Sequence, residues 1–384
     1  RPLTTPPAAA WRGVLRSRPR AYRHFECHNV GALRPSTRDP PMTAPLALVG
    51  TYGSPYSLKM RAVLRYRHIP FTWVLQNTPG QFALPKPPVA IIPVLGFPDA
   101  TGTVTEVMVD STPQIARLEA MFRDRSLVPP DPALAFLHLL IEDYADEWVT
   151  KAMYHYRWAP PEAVERARRL LPVWPMLHED DDRLAQWGDW VVDRQVGRRA
   201  LVGSTDANAP VIESSYVRLL GILNRLIEAQ DFVLGDRPGS GDFGLYGQLS
   251  QLVIIEPTST ALCFEHGPRV YSWVNRMDDL SWWPVDGDAG WPDRSAVPST
   301  TLAPLLAEIG ATYTPFMLAN EAALAAEEPE VVCEILGREY RQGAFPYQGK
   351  TIRWIREARA ALSDADRRWV DGVLGGTGCE ALFG

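Results

Sequence analysis

Cysteine is scarce in this 384-residue chain, and Cys27, Cys263, Cys333 and Cys379 lie far apart without CxxC spacing. That excludes a disulfide framework and a zinc site of paired cysteines, and it points to a reducing, cytoplasmic compartment. Lysine is scarcer still: Lys59, Lys86, Lys151 and Lys350 are the only four among 39 basic residues, a bias expected of a GC-rich genome. Runs of about 18 apolar residues are lacking, so no segment is expected to span a bilayer. Acidic residues are few at the start. Residues 1–41 hold eight Arg against two acids, which leaves 31 basic against 43 acidic groups and a net charge of −12 for the remainder. An acidic body is a poor partner for nucleic acid.

The leader, taken as residues 1–44, is rich in Pro, Arg and Ala and lacks hydrophobic period. An organellar transit peptide and a stretch upstream of the natural start both fit it. Met42, just before the first strand signal, favours the second reading. The rest, in a chain 46% hydrophobic and 22% charged, is long enough for two domains and an appendage with a sizeable core.

Leu46 to Val49 has the composition of a buried strand, and a turn at Gly53-Ser54-Pro55 leads into a helix over 57–67 with Met60, Val63 and Leu64 on one face. Phe71 to Leu75 reads as the next strand. Asn77 to Ala90 carries four prolines and reads as loop. Two strands over 91–97 and 106–109 and a helix from Ser111 to about Arg123 complete a β-α-β-loop-β-β-α order, which fits a small thioredoxin-like sheet in residues 45–124. Beyond the Pro-rich linker 128–132, strand signals vanish. Helices are expected near 133–157, 161–171, 182–197, 210–229, 242–253 and 268–279, an all-helical domain over 133–282. An α+β extension over 299–384 follows, with a helix near 301–326, a hairpin turning at Leu336-Gly337 and two terminal helices. The fold class is thus α/β plus all-α.

Three motifs carry chemistry. Tyr52-Gly-Ser-Pro-Tyr-Ser57 opens a helix, whose unpaired N–H groups and positive dipole end favour an anion such as a thiolate. Ile92-Pro93 is a candidate cis peptide that presents backbone groups for pairing with an extended peptide. Asp110-Ser111 starts another helix, where a hydroxyl, an N–H and a carboxylate meet a ligand bearing both carboxylate and ammonium.

With these motifs the chain resembles the soluble glutathione transferases, and the resemblance covers about 45–280. SPYS lies at the family's active-site Ser or Cys, IPVL holds the cis-Pro, DS replaces the usual ES, and Phe232 to Tyr246 is similar to the capping segment of the helical domain. Gly239 departs from the family's Ser or Thr, so either Ser240 caps in a shifted register or the helix start is weaker. The resemblance implies glutathione as co-substrate, with Ser54 hydrogen-bonding its sulfur and Tyr52 and Ser57 competing for that role. It further implies Ile92 with Pro93 along the cysteinyl backbone, Asp110 and Ser111 at the γ-glutamyl end and Lys86 at the glycyl carboxylate. A small apolar electrophile would then lie near Tyr144, Tyr154 and Trp158, in a detoxifying conjugation. The resemblance also suggests a homodimer, with no nucleic-acid or membrane partner.

Blander readings stand beside these. Ser54 is also a good helix cap, and Lys86 is equally a solvated loop charge. His138, Glu142 and Asp146 share a helix face, but without Glu-x-x-His pairs on two helices no metal is expected, and a solvated or dimer-facing acidic stripe is the better reading. Cys379 would be reactive only if exposed. Glutathione-dependent reduction is disfavoured because Ser54 and Ser57 stand where a disulfide-forming cysteine would be needed. A non-catalytic scaffold that uses the extension as its interaction surface is the alternative of a different class.

Overall fold

The computed structural model describes residues 44–297 and 299–384; the leader, with Cys27 and Met42, lies outside the described residues. Leu46–Gly50 is buried along its whole length, as suits the middle of a sheet, and forms β1. It pairs in parallel with β2 (Phe71–Leu75) and antiparallel with β3 (Val94–Pro98). β4 (Val104–Val109) closes the sheet in the order β2-β1-β3-β4. Helices α1 (Pro55–Tyr66), α2 (Pro79–Phe82) and α3 (Ser111–Met121) complete a thioredoxin-like layer. The expected loop therefore contains one helical turn, because Pro79 stands at a first helical position, where its missing N–H costs nothing. β3 starts at Val94, three residues later than expected, after a cis Ile92–Pro93 peptide.

The helical region comprises α4 (Pro132–Tyr144), a π-helical turn (Ala145–Val149), α5 (Thr150–Trp158), α6 (Pro161–Val173), α7 (Asp181–Val196), α8 (Arg199–Val202), α9 (Ala209–Ala229), α10 (Ser240–Ile254), α11 (Pro257–His266) and α12 (Pro268–Met277). α11 was not expected; its Pro257 opens a helix instead of breaking one. α10 is buried from Ser240 to Val253 and forms the axis of this region. A Cβ at Gly244 would stand 3.1 Å from the Glu142 Cα, and one at Gly247 3.0 Å from the Pro55 carbonyl oxygen, so α4 and α1 both approach α10 at glycines.

The extension contains α13 (Ser299–Ala325), the hairpin β5 (Glu330–Ile335) and β6 (Arg338–Gly343), α14 (Pro346–Ala360) and α15 (Asp364–Leu374). Leu336 and Gly337 both have positive φ, 54° and 74°, as a two-residue type I′ turn requires. Leu302–Ala325 is long and apolar enough to cross a membrane by length and composition. It packs instead into the fold: Leu305, Ile309, Phe316 and Met317 join the contiguous core that includes Leu48 and Leu137. Arg294 links the preceding loop to Asp131, the N-cap of α4, and to Asp366 of α15.

Gly239 is the N-cap of α10, and neither expected alternative for it holds in full. The Asp242 carboxylate accepts from the N–H of Gly239 at 2.9 Å and of Val233 at 2.8 Å, so half of a capping box survives. A side chain at Gly239 has no room, because a Cβ there would lie 2.3 Å from the buried His138 ring. Gly239→Ser is expected to destabilise the protein by about 1–3 kcal/mol through this overpacking. In a His138→Ala background, which empties the space, the same change should cost measurably less in the urea midpoint; an equal cost would refute the clash.

Candidate functional site

Ser54 is the N-cap of α1, and its Oγ accepts from the Ser57 N–H at 3.2 Å. A hydroxyl that caps through a lone pair keeps its own hydrogen, and that hydrogen remains for a ligand. The residue is nearly buried yet lines a cavity of about 340 Å³ between the sheet's edge loops and the helical region. Ile92, Tyr154 and Trp158 line the same cavity, so four of the expected residues converge there. Pro93 is buried beside it, and its carbonyl accepts from Gln114 of α3 at 3.0 Å.

Other expected residues lie elsewhere. Ser57 is fully buried behind Ser54, and Lys86 is exposed on the loop before Pro93; neither lines the cavity. The Tyr52 ring sits between Trp73 and Trp174, under the Arg61 guanidinium at 5.1 Å. Tyr144 corrects the expected pocket: it is fully buried against Tyr313 in the helical core and turns away from the cavity. Asp110 caps α3 with φ 78°, and its carboxylate accepts from the Tyr347 hydroxyl of α14 at 2.6 Å. Ser111 is buried and its Oγ accepts from Lys59 at 3.3 Å.

Arg157, Trp187, Trp190, Arg194 and Arg198 also line the cavity and were not foreseen. The available signal was the spacing of Trp187, Trp190, Val191 and Arg194 on one face of α7. Arg157 shapes the site, since it donates to the Gly53 carbonyl at 2.7 Å while pairing with the buried Glu256 at 2.5 Å. It thereby anchors the turn that carries Ser54 to α10 and its C-terminal loop.

Beneath the site the supposed solvated acidic stripe is buried. Lys59 of α1 donates to Glu142 at 2.8 Å and Asp146 at 2.6 Å. Burial disfavours its charge, but the two carboxylates outweigh that and hold the ammonium above its usual range. Burial likewise opposes the Glu142 charge, and Lys59 overrides it to hold that carboxyl low. Asp146 is lifted by burial to about 6. On the side facing the extension, burial raises Asp143, hydrogen-bonded by Tyr313, to about 7. Burial and the Asp143 charge raise Glu147 to about 8, and burial pulls Lys151 down to about 7. Cys379 is buried and its thiol is pushed up to about 12, so it is no reactive nucleophile.

Residues 48–126 match the family described as "Glutathione S-transferase, N-terminal domain". Over these residues the chain is similar to a glutathione S-transferase N-terminal domain. This match spans only the thioredoxin-like layer. No curated protein matches the chain. Among solved structures, a glutathione S-transferase from Methylobacterium radiotolerans in complex with glutathione sulfonate is similar at 19% identity and a TM-score of 0.37, covering 61% of this chain and 91% of that one. A glutathione transferase from Phanerochaete chrysosporium is similar at 16% identity and a TM-score of 0.42, with 63% and 98% covered. A third, from Pseudomonas fluorescens with two glutathione molecules bound, has 14% identity and a TM-score of 0.37, with 62% and 95% covered.

Two predictions concern the buried charges. Lys59→Met leaves two carboxylates unpaired in the interior and should cost about 3–5 kcal/mol in urea unfolding at pH 7; a loss below about 1 kcal/mol would mean that water reaches them. Glu147 binds its proton more tightly folded, near 8, than at the ordinary 4.5, so its contribution is full below 4.5 and is lost as pH rises through 8. The stability of Glu147→Gln relative to wild type should therefore climb between pH 5 and 8, as read from melting temperatures, and a flat difference would contradict the raised pKa.

Proposed function

We propose that the protein is a glutathione transferase in which the glutathione thiolate attacks a small electrophile. In this reading residues 45–124 bind glutathione, residues 133–282 supply the electrophile's wall, and three unpaired cysteines among the described residues suit a reducing cytoplasm. The observation that carries it is the Ser54 hydroxyl, which caps α1 and still faces the cavity beside Ile92 with its hydrogen available. Donation of that hydrogen to sulfur, at the positive end of α1, lowers the thiol pKa from about 8.5 toward 7. Ile92 pairs with the cysteinyl backbone, Asp110 and Ser111 take the γ-glutamyl end, and Lys86 reaches the glycyl carboxylate from its exposed loop. The sulfur pair forms the new bond, the leaving group departs with its own electron pair, and the thiol proton passes to solvent. Beyond these groups the protein contributes proximity.

The Tyr347–Asp110 hydrogen bond favours a second reading, a binding protein whose extension holds the γ-glutamyl corner for itself. Thiolate absorbance of bound glutathione against pH separates the two. A transferase should show ionisation near pH 7 that moves up by about one unit or more in Ser54→Ala, together with a fall in kcat/KM on the order of a hundredfold and an unchanged circular dichroism spectrum. Failure of glutathione to bind, or ionisation as in water, would leave the binding-protein reading.

A further inference from the structure

The cavity beside Ser54 has walls of opposite character. None of its lining residues is acidic, although the chain as a whole has more acids than bases. Three of them are arginines, and Arg157 is already committed to Glu256, Gln251 and the Gly53 carbonyl. Arg194 and Arg198 are different. They stand four residues apart where α7 gives way to α8, Arg194 in the last turn of α7 and Arg198 just before α8; both are exposed, and among the described residues neither has a carboxylate within ion-pair distance. Of the acids near them in the chain, Asp189 pairs with Arg168 at 2.5 Å, Asp206 pairs with Arg199 at 2.8 Å, and Asp193 is exposed outside the cavity lining.

Apolar aromatic surface lies directly against these charges. The Trp187 and Trp190 rings are 6.0 Å apart, and the Arg194 guanidinium lies 5.4 Å over Trp190. Tyr154 ties the end of α7 to α5 by donating to the Gln195 carbonyl at 2.6 Å, which fixes the arginines relative to the cavity floor. A stack of indoles next to two uncompensated guanidinium groups recognises a flat apolar body bearing a carboxylate or sulfonate.

We infer that Arg194 and Arg198 make this cavity selective for anionic aromatic molecules, so the electrophile is an aromatic carboxylate or sulfonate and not a neutral apolar compound. The inference rests on the proposed function for the word electrophile, but the anion selectivity itself does not require glutathione. The aromatic part stacks on Trp187 and Trp190, and the anionic group turns outward to the two arginines. Its reactive carbon is thereby directed toward Ser54 and Ile92.

The test uses two fluorescent probes of similar size on the full chain without glutathione: 8-anilinonaphthalene-1-sulfonate and neutral N-phenyl-1-naphthylamine. The wild type should bind the sulfonate about tenfold more tightly. Arg194→Gln/Arg198→Gln should abolish that preference and leave the neutral probe's Kd unchanged. Equal affinity for both probes in the wild type, or a preference that survives the double substitution, overturns the inference. In turnover, the double variant should raise KM for an aromatic carboxylate electrophile and not for glutathione. The reverse would assign the arginines to a glutathione carboxylate and overturn it too. If glutathione does not bind, the proposed transferase falls while the probe pair still decides the anion selectivity.

Discussion

Lys59 holds its charge at a fully buried position, and two carboxylates from α4 and the π-helical turn pair with it. Removing an ion from water costs several kcal/mol, so the pair persists only where the surrounding backbone fixes all three groups. That requirement couples three segments. α1 supplies the ammonium, α4 and the π turn supply the acids, and the same ammonium donates to Ser111 at the start of α3. The thioredoxin-like layer is therefore locked to the helical region by an ionic contact directly under the start of α3. Gly244 and Gly247 of α10 let the backbones come close enough for it.

The extension continues this lock on the other side of α4. Tyr313 reaches Asp143, Lys151 donates to Gln342 of β6, and its ammonium also lies 3.9 Å from the centre of the Phe316 ring. Tyr347 then extends from α14 to Asp110, whose backbone is held at a positive φ that a non-glycine residue rarely adopts. The extension is thus built into the same core as the rest and touches the thioredoxin-like layer at the Asp110 carboxylate.

Much of this was legible in the chain. The β-α-β-β-α order, the cis peptide at Ile92-Pro93, the hairpin at Leu336-Gly337 and most of the helices follow from hydrophobic period and turn chemistry, which are local. Ser54 and Ile92 stand out through a helix start and an X-Pro motif, which are local as well, whereas Tyr154 and Trp158 are expected only from the family resemblance; all four line the cavity. What was missed depends on contacts distant in sequence. Whether Glu142 and Asp146 face water or Lys59 depends on a residue more than eighty positions away. Tyr144 is expected in the cleft only from the family resemblance, which does not distinguish a core ring from a cleft ring. Gly239 departs from the usual cap because of His138, about a hundred residues earlier. Pro79 falls in a stretch expected to be loop, although it opens a helical turn.

Trp158, Ala167 and Val191 form a small cluster of their own, separate from the main core, with Tyr154, Leu171 and Trp187 packed against it. α6 and α7, which carry the outer wall of the cavity, are thus founded on a foothold that shares little packing with the sheet or α10. A substitution in that wall therefore reshapes the cavity while the ion lock and the large core stay intact, so the packing that carries stability and the packing that shapes the cavity can change separately.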